Sequence, residues 1–281
     1  MEDLVLSFVA ASNLVSAAVG LGLPHKLALS AVFSTIANLF IGGLIISTAI
    51  VHLLAEGVES DGEFPWGFAL CGAGYLIMAS IEVAADGSER TSPEDMYCEL
   101  RSANEEPPVD GFQRVDSLSS PEYARRRHVH HTPDAGALAT TLALAVHSAG
   151  DGMAISVQPT SHRVLVIGFA IVAHKFFAAY ALGTILAHRP TRERRRNLFY
   201  ATLFVLSTPV TIVVAHLVVF DTLKRGAPVH RASALCSGSL LYVGIHEILG
   251  AYLDSPLLST PAKLLSIWAG FLLMTLLAIW V

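Results

Sequence analysis

The sequence predicts an all-α integral membrane protein, and three observations carry that prediction. Of 281 residues, 53% are hydrophobic and only 15% charged, against about a quarter charged in an ordinary soluble domain. The apolar residues fall in long continuous runs, without the alternation that a membrane β-barrel requires. Eight of these runs reach the roughly 20 residues that a helix needs to cross the hydrocarbon core.

The runs lie near residues 4–23, 32–54, 65–84, 136–158, 164–187, 198–219, 232–252 and 262–281. The first follows Glu2 and Asp3 with no basic stretch ahead of it, which reads as a first span and not a cleaved signal peptide. Residues 1–84 thus carry spans one to three and residues 136–281 carry spans four to eight. With the N-terminus outside, thirteen Lys and Arg residues fall in cytoplasmic segments and four in outer ones, while Lys175 lies within a span. The positive-inside rule therefore puts both termini on the extracytoplasmic side, of either the plasma membrane or an organelle.

Residues 85–135 are rich in Ser, Pro, Glu and Asp and cannot bury enough apolar surface to offset their ordering entropy, so they predict a disordered cytoplasmic loop. The loop ends in Arg125, Arg126 and Arg127 with His128, His130 and His131; this tract reads equally as a weak metal ligand or as a solvated basic flank. The arginines between Arg192 and Arg196 fit either anionic lipid headgroups or a plain topological anchor. Cys71, Cys98 and Cys236 have no paired spacing, which argues against a disulfide framework or a cysteine metal site. The net charge of -5 is confined to loops, and nothing suggests nucleic acid as a partner.

Polar residues inside the spans are the functional suspects. A charge at the bilayer centre costs several kcal/mol, roughly +2.5–3.5 on insertion scales, so His147, Ser148 and Asp151 in the fourth span and His174 and Lys175 in the fifth must face a protein interior or an aqueous path. His147 and Asp151 are four apart and share one helical face. His174 lies near the middle of its span, so antiparallel neighbours bring all three to one depth. Two imidazoles and a carboxylate suit Zn²⁺ or a similar divalent ion. The bland alternative has the histidines bonding between helices and Asp151 paired to Lys175. Three ligand groups at one depth, with Gly150 and Gly152 permitting close helix approach, favour a metal or proton site.

Two pairs flank this centre, His52 with Glu56 near the outer end of the second span and His246 with Glu247 near the inner end of the seventh. They read as entrance and exit, and each reads equally well as an interfacial polar terminus. The stretches that carry them echo one another, Gly43 to Glu56 and Gly238 to Glu247, and cross the membrane in opposite directions. An inverted repeat of this kind is a common transporter architecture.

The run His147-Ser148-Ala-Gly-Asp151-Gly152-Met-Ala resembles the His-Asn/Ser-x-x-Asp/Glu-Gly-x-Ala signature of the ZIP (Zrt/Irt-like) metal transporters. His174-Lys175, followed by Ala-Tyr-Ala-Leu-Gly, looks like the His-Lys variant of that family's His-Glu-x-x-His motif. Eight spans, outer termini, a variable loop after the third span and the Leu-Tyr-Val-x-x-His-Glu stretch of the seventh are similar too, and the resemblance covers nearly all of the chain outside Ala85 to Asp134.

The resemblance implies a transporter, not an enzyme, that brings divalent metal into the cytoplasm through a single midplane site of His147, Asp151 and His174. Zn²⁺ is then cargo and not a cofactor, and the same donors accept Fe²⁺, Mn²⁺ or Cd²⁺. The family relation also implies homodimers and alternating access by one helix bundle sliding against another. Lys175 replaces the carboxylate of a second metal site, Ser148 replaces its Asn, and Ala178 stands where a further ligand can occur, so one ion is expected. Zn²⁺ with neutral imidazoles and ionised Asp151 leaves a net positive charge, and Lys175 beside it adds another, which predicts loose binding. Lys175 alternatively pairs with Asp151 when metal is absent. Two rivals remain at this stage: an intramembrane zinc hydrolase, for which no second carboxylate or serine is evident at the same depth, and a receptor with a structural metal, which predicts metal-dependent folding and no flux.

Overall fold

The computed structural model describes residues 2–26, 30–59, 62–89, 133–156, 158, 160–187, 189, 193–218 and 227–279. His128, His130, His131, Arg192 and most of the segment expected to be disordered lie outside these residues. Eight long helices run through the described chain: α1 (Glu2–Lys26), α2 (Ala31–Ser47), α3 (Trp66–Glu89), α4 (Pro133–Ser156), α5 (Ser161–Ala187), α6 (Arg194–Val218), α7 (Ala227–Tyr242) and α8 (Thr260–Ala278). Helices α3 and α4 extend a few residues past the expected spans into the intervening loop.

Local chemistry accounts for several helix ends. The Phe33 amide donates to Ser30 Oγ at 3.2 Å and so caps α2. His25 and Lys26 close α1, where the negative end of the helix dipole favours cations. Proline at the start of α8 suits a position whose amide would have no partner.

Among the described residues, seven helices are long and apolar enough to cross a membrane. The remaining one, α4, is of similar length but carries Thr140, Thr141, His147, Ser148 and Asp151, all buried. Its polar content is thus turned inward, while Phe8, Phe169, Leu198 and Trp268 on other helices are exposed, as a lipid-facing surface requires.

Helices α2 and α7 share an irregularity. Each passes into a seven-residue π-helical segment, Thr48–Leu54 and Val243–Leu249, and then into a four-residue α-helical turn, Ala55–Val58 and Gly250–Leu253. These are the two stretches that echo each other in sequence, and each π segment holds a histidine, His52 or His246. Such segments concentrate at functional sites.

The helices pack as two bundles. In one, α5 lies along α1 and α6 along α4; in the other, α8 lies along α2 and α7 along α3. Glycines set the closest backbone approaches, and four of them each join two helices of one bundle. A Cβ on Gly183 would stand 2.7 Å from the Leu21 carbonyl oxygen, and one on Gly152 2.7 Å from that of Thr208. A Cβ on Gly270 would collide with the Phe40 carbonyl, and one on Gly238 with that of Cys71. Backbone-to-backbone contact of this kind is how helices bind in a solvent that offers no hydrophobic drive. Between the bundles the contacts are made by side chains, as in the Phe40–Phe177 ring pair at 5.4 Å and the Thr184 hydroxyl donating to Asn38 Oδ1 at 3.1 Å.

Gly238→Ala therefore places a methyl on backbone that cannot retreat. It is expected to destabilise the purified protein by about 1–3 kcal/mol, the usual cost of overpacking, visible as a lowered melting temperature in detergent. Gly22→Ala, with nothing within 4 Å of the new methyl, is expected to leave that temperature unchanged or higher.

Candidate metal centre

Helix α4 presents His147 and Asp151 one turn apart, and α5 brings His174 across to them. All three are buried, at 3%, 4% and 4% exposure. His147 Nε2 and His174 Nε2 each lie 3.6 Å from Asp151 Oδ2, and one ligand atom from each residue falls within 4.8 Å of the others. A separation of 3.6 Å is too long for a good hydrogen bond. It is close to the roughly 3.3 Å that separates two tetrahedral ligands each about 2.0 Å from a zinc ion.

Hydrogen bonding prepares the donors. The Ala170 carbonyl can only accept, so His174 Nδ1, 3.0 Å away, carries the proton and Nε2 is left with its lone pair directed at the cluster. His147 Nδ1, His174 Nε2 and Asp151 Oδ2 are buried with no hydrogen-bond partner among the described residues. Orphaned buried groups each cost about 1–3 kcal/mol, and a divalent ion is a single partner that satisfies a carboxylate oxygen and an imidazole nitrogen together.

Lys175 is 1% exposed and is one of the largest fully buried side chains among the described residues. It makes no ion pair with Asp151. Its ammonium donates to Thr208 Oγ1 on α6 at 2.7 Å and sits 4.6 Å from the centroid of the Phe204 ring. Ser148 takes part through its backbone, its carbonyl accepting from the Thr208 hydroxyl at 2.7 Å.

The flanking pairs are each divided. His52 is within Coulombic reach of His174 and Asp151. Glu56 turns to α7, its carboxylate accepting from Ser233 Oγ at 3.0 Å and its carbonyl contacting His230 Nδ1 at 2.8 Å. At the other end, His246 Nε2 meets the Tyr75 hydroxyl at 2.5 Å and the ring stacks on Tyr242, centroids 4.8 Å apart. Glu247 faces Glu82 of α3, and the Tyr242 hydroxyl donates to the Glu82 carboxylate.

Sequence reasoning missed Glu82, Tyr242, Ser233 and Thr208. Glu82 had a usable signal, being an ionisable residue in the apolar run Leu76 to Val83. The other three are ordinary helix-contact residues in sequence.

A family profile described as ZIP Zinc transporter matches residues 4–278. This chain belongs to the ZIP zinc transporter family. It is 32% identical to human zinc transporter ZIP2 over 147 residues, 51% of this chain and 47% of that protein. It is 25% identical to Danio rerio zinc transporter ZIP1 over 266 residues, 89% of this chain and 84% of the relative. Zinc transporter ZIP9 of Micropogonias undulatus matches at 27% over 230 residues, 74% of this chain and 72% of its own length. The match thus takes in about half of the human relative and most of the other two. In this ZIP chain the donor groups that converge are His, Asp and His, with Lys175 outside the cluster.

If these donors hold metal, Asp151→Asn removes the one anion while preserving shape. Zinc affinity of the purified protein, measured by calorimetric titration, is expected to fall at least about tenfold, as when an interaction with a charged group worth about 1.5–3 kcal/mol is lost.

Proposed function

We propose that this chain carries zinc into the cytoplasm through one midplane site made by His147, Asp151 and His174. The observation that carries the reading is the buried trio of donors at 3.6 Å spacing. Fe²⁺, Mn²⁺ and Cd²⁺ suit the same donors. A three-ligand shell leaves a coordination position for water, and an incompletely neutralised ion is released as readily as it is taken up. His52 and Glu56 serve the outer approach. His246 and Glu247, joined by Glu82, serve the inner one. Positive-inside bias supports this orientation, with both termini outside the cytoplasm.

Movement between the two approaches is attributed to the bundles sliding as units. Two features support it: glycine-mediated backbone contacts lie within bundles, and side-chain contacts join them. The ZIP family is one of transporters and not catalysts, which leaves the hydrolase reading without support.

His147→Ala, with surface abundance measured alongside, is expected to abolish tracer zinc uptake; full flux from a normally expressed variant would overturn the site. Protons compete with metal for imidazole nitrogen, so apparent zinc affinity should weaken as pH falls from neutral through about 6.5. An affinity unchanged between pH 7.5 and about 5.5 argues against histidine ligation. Lys175→Glu restores a carboxylate where the family's second site has one, and the purified variant is expected to bind a second zinc ion by elemental analysis.

A further inference from the structure

Threonine and serine hydroxyls inside these helices mostly bond back to the carbonyl four residues earlier. Thr35, Thr48, Thr141, Thr211 and Thr275 all do so. Thr208 does not. Its hydroxyl is fully buried and turned across to α4 and α5, donating to Ser148 O at 2.7 Å and accepting from Lys175 Nζ at 2.7 Å. Two features permit this diversion. The carbonyl four residues earlier, Phe204 O, already accepts from the Ser207 hydroxyl at 2.7 Å, and Gly152 lets α6 approach α4 until a Cβ there would stand 2.7 Å from the Thr208 carbonyl.

We propose that Thr208 is a positioning residue that holds the Lys175 ammonium beside the metal cluster and away from Asp151, and thereby sets the affinity for the divalent ion. A buried ammonium must have an acceptor. Thr208 Oγ1 supplies it, the Phe204 ring lies 4.6 Å from the charge, and the Ser148 carbonyl fixes which lone pair of the hydroxyl is offered. Asp151 is the alternative anion, within Coulombic reach of Lys175. Without the Thr208 hydroxyl the ammonium turns to that carboxylate, and metal must then displace a tethered cation before it binds. Held on Thr208, the same charge lowers affinity only through space, which keeps the site open yet weak. This inference rests on the proposed transport site.

The test is tracer zinc uptake by cells expressing the full chain, with apparent KM and maximal rate per surface transporter measured for each variant and His147→Ala as the control for the site itself. Thr208→Val keeps the shape and removes the hydroxyl; its KM is expected to rise about tenfold, the scale of one redirected hydrogen bond to a charged group, with the maximal rate little changed. Thr208→Ser is expected to restore a KM within about twofold of the parent, since the hydroxyl and its hydrogen bond are retained. In Lys175→Met, where no ammonium needs holding, adding Thr208→Val is expected to change nothing. An unchanged KM in Thr208→Val, or an equal rise in the Lys175→Met background, overturns the proposal even though His147→Ala is inactive. If Thr208→Val does not reach the surface, abundance replaces KM as the readout. Recovery in Lys175→Met/Thr208→Val supports the proposal, and failure of that double variant as well overturns it. Full uptake by His147→Ala is the separate outcome that removes the site on which the inference depends.

Discussion

Everything in this protein is arranged around one carboxylate placed between two imidazoles where water is scarce. Asp151 lies 3.6 Å from both His147 Nε2 and His174 Nε2, and the three side chains are all but inaccessible. An isolated charge there would be prohibitively costly. The fold confines the polar groups of α4 to its inner face, commits the His174 Nδ1 proton to Ala170 and holds the Lys175 ammonium on Thr208, so none of these groups neutralises the carboxylate. What remains is a set of donors short of partners, which a divalent ion suits better than any side chain in reach.

The two-bundle packing gives that site its setting. His147, Asp151 and His174 belong to the bundle of α1, α4, α5 and α6, as does the Lys175–Thr208–Ser148 clamp. The flanking polar residues, Glu56 with Ser233 and Glu82 with Tyr242, His246 and Glu247, belong to the other bundle. Because the helices within each bundle meet at glycine, they act as rigid units.

Much of this was legible in the sequence. Apolar run lengths located the helices, and the four-residue spacing of His147 and Asp151 with the midspan position of His174 located the cluster, because helical periodicity and depth are local properties. The echo of Gly43–Glu56 in Gly238–Glu247 corresponded to a shared π-helical form, but that form itself was not readable. The Glu56 carboxylate, taken as the partner of His52, instead accepts from Ser233 of α7, a contact that no helical spacing reveals. Partners set by tertiary packing were also out of reach. Pairing of Lys175 with Asp151 was one alternative, and the ammonium instead bonds Thr208, which is 33 residues away in the chain and indistinguishable by type from the other threonines of these helices. Glu82 was readable in principle, since a carboxylate in an apolar run always needs a partner.

The most direct test of the central claim is X-ray absorption spectroscopy of the purified full chain loaded with zinc. One ion per chain is expected, with a first shell of about two imidazole nitrogens and one or two oxygens at about 2.0–2.2 Å and no sulfur. A sulfur shell at about 2.3 Å, or bound zinc whose imidazole signal survives replacement of His147 and His174, would contradict it.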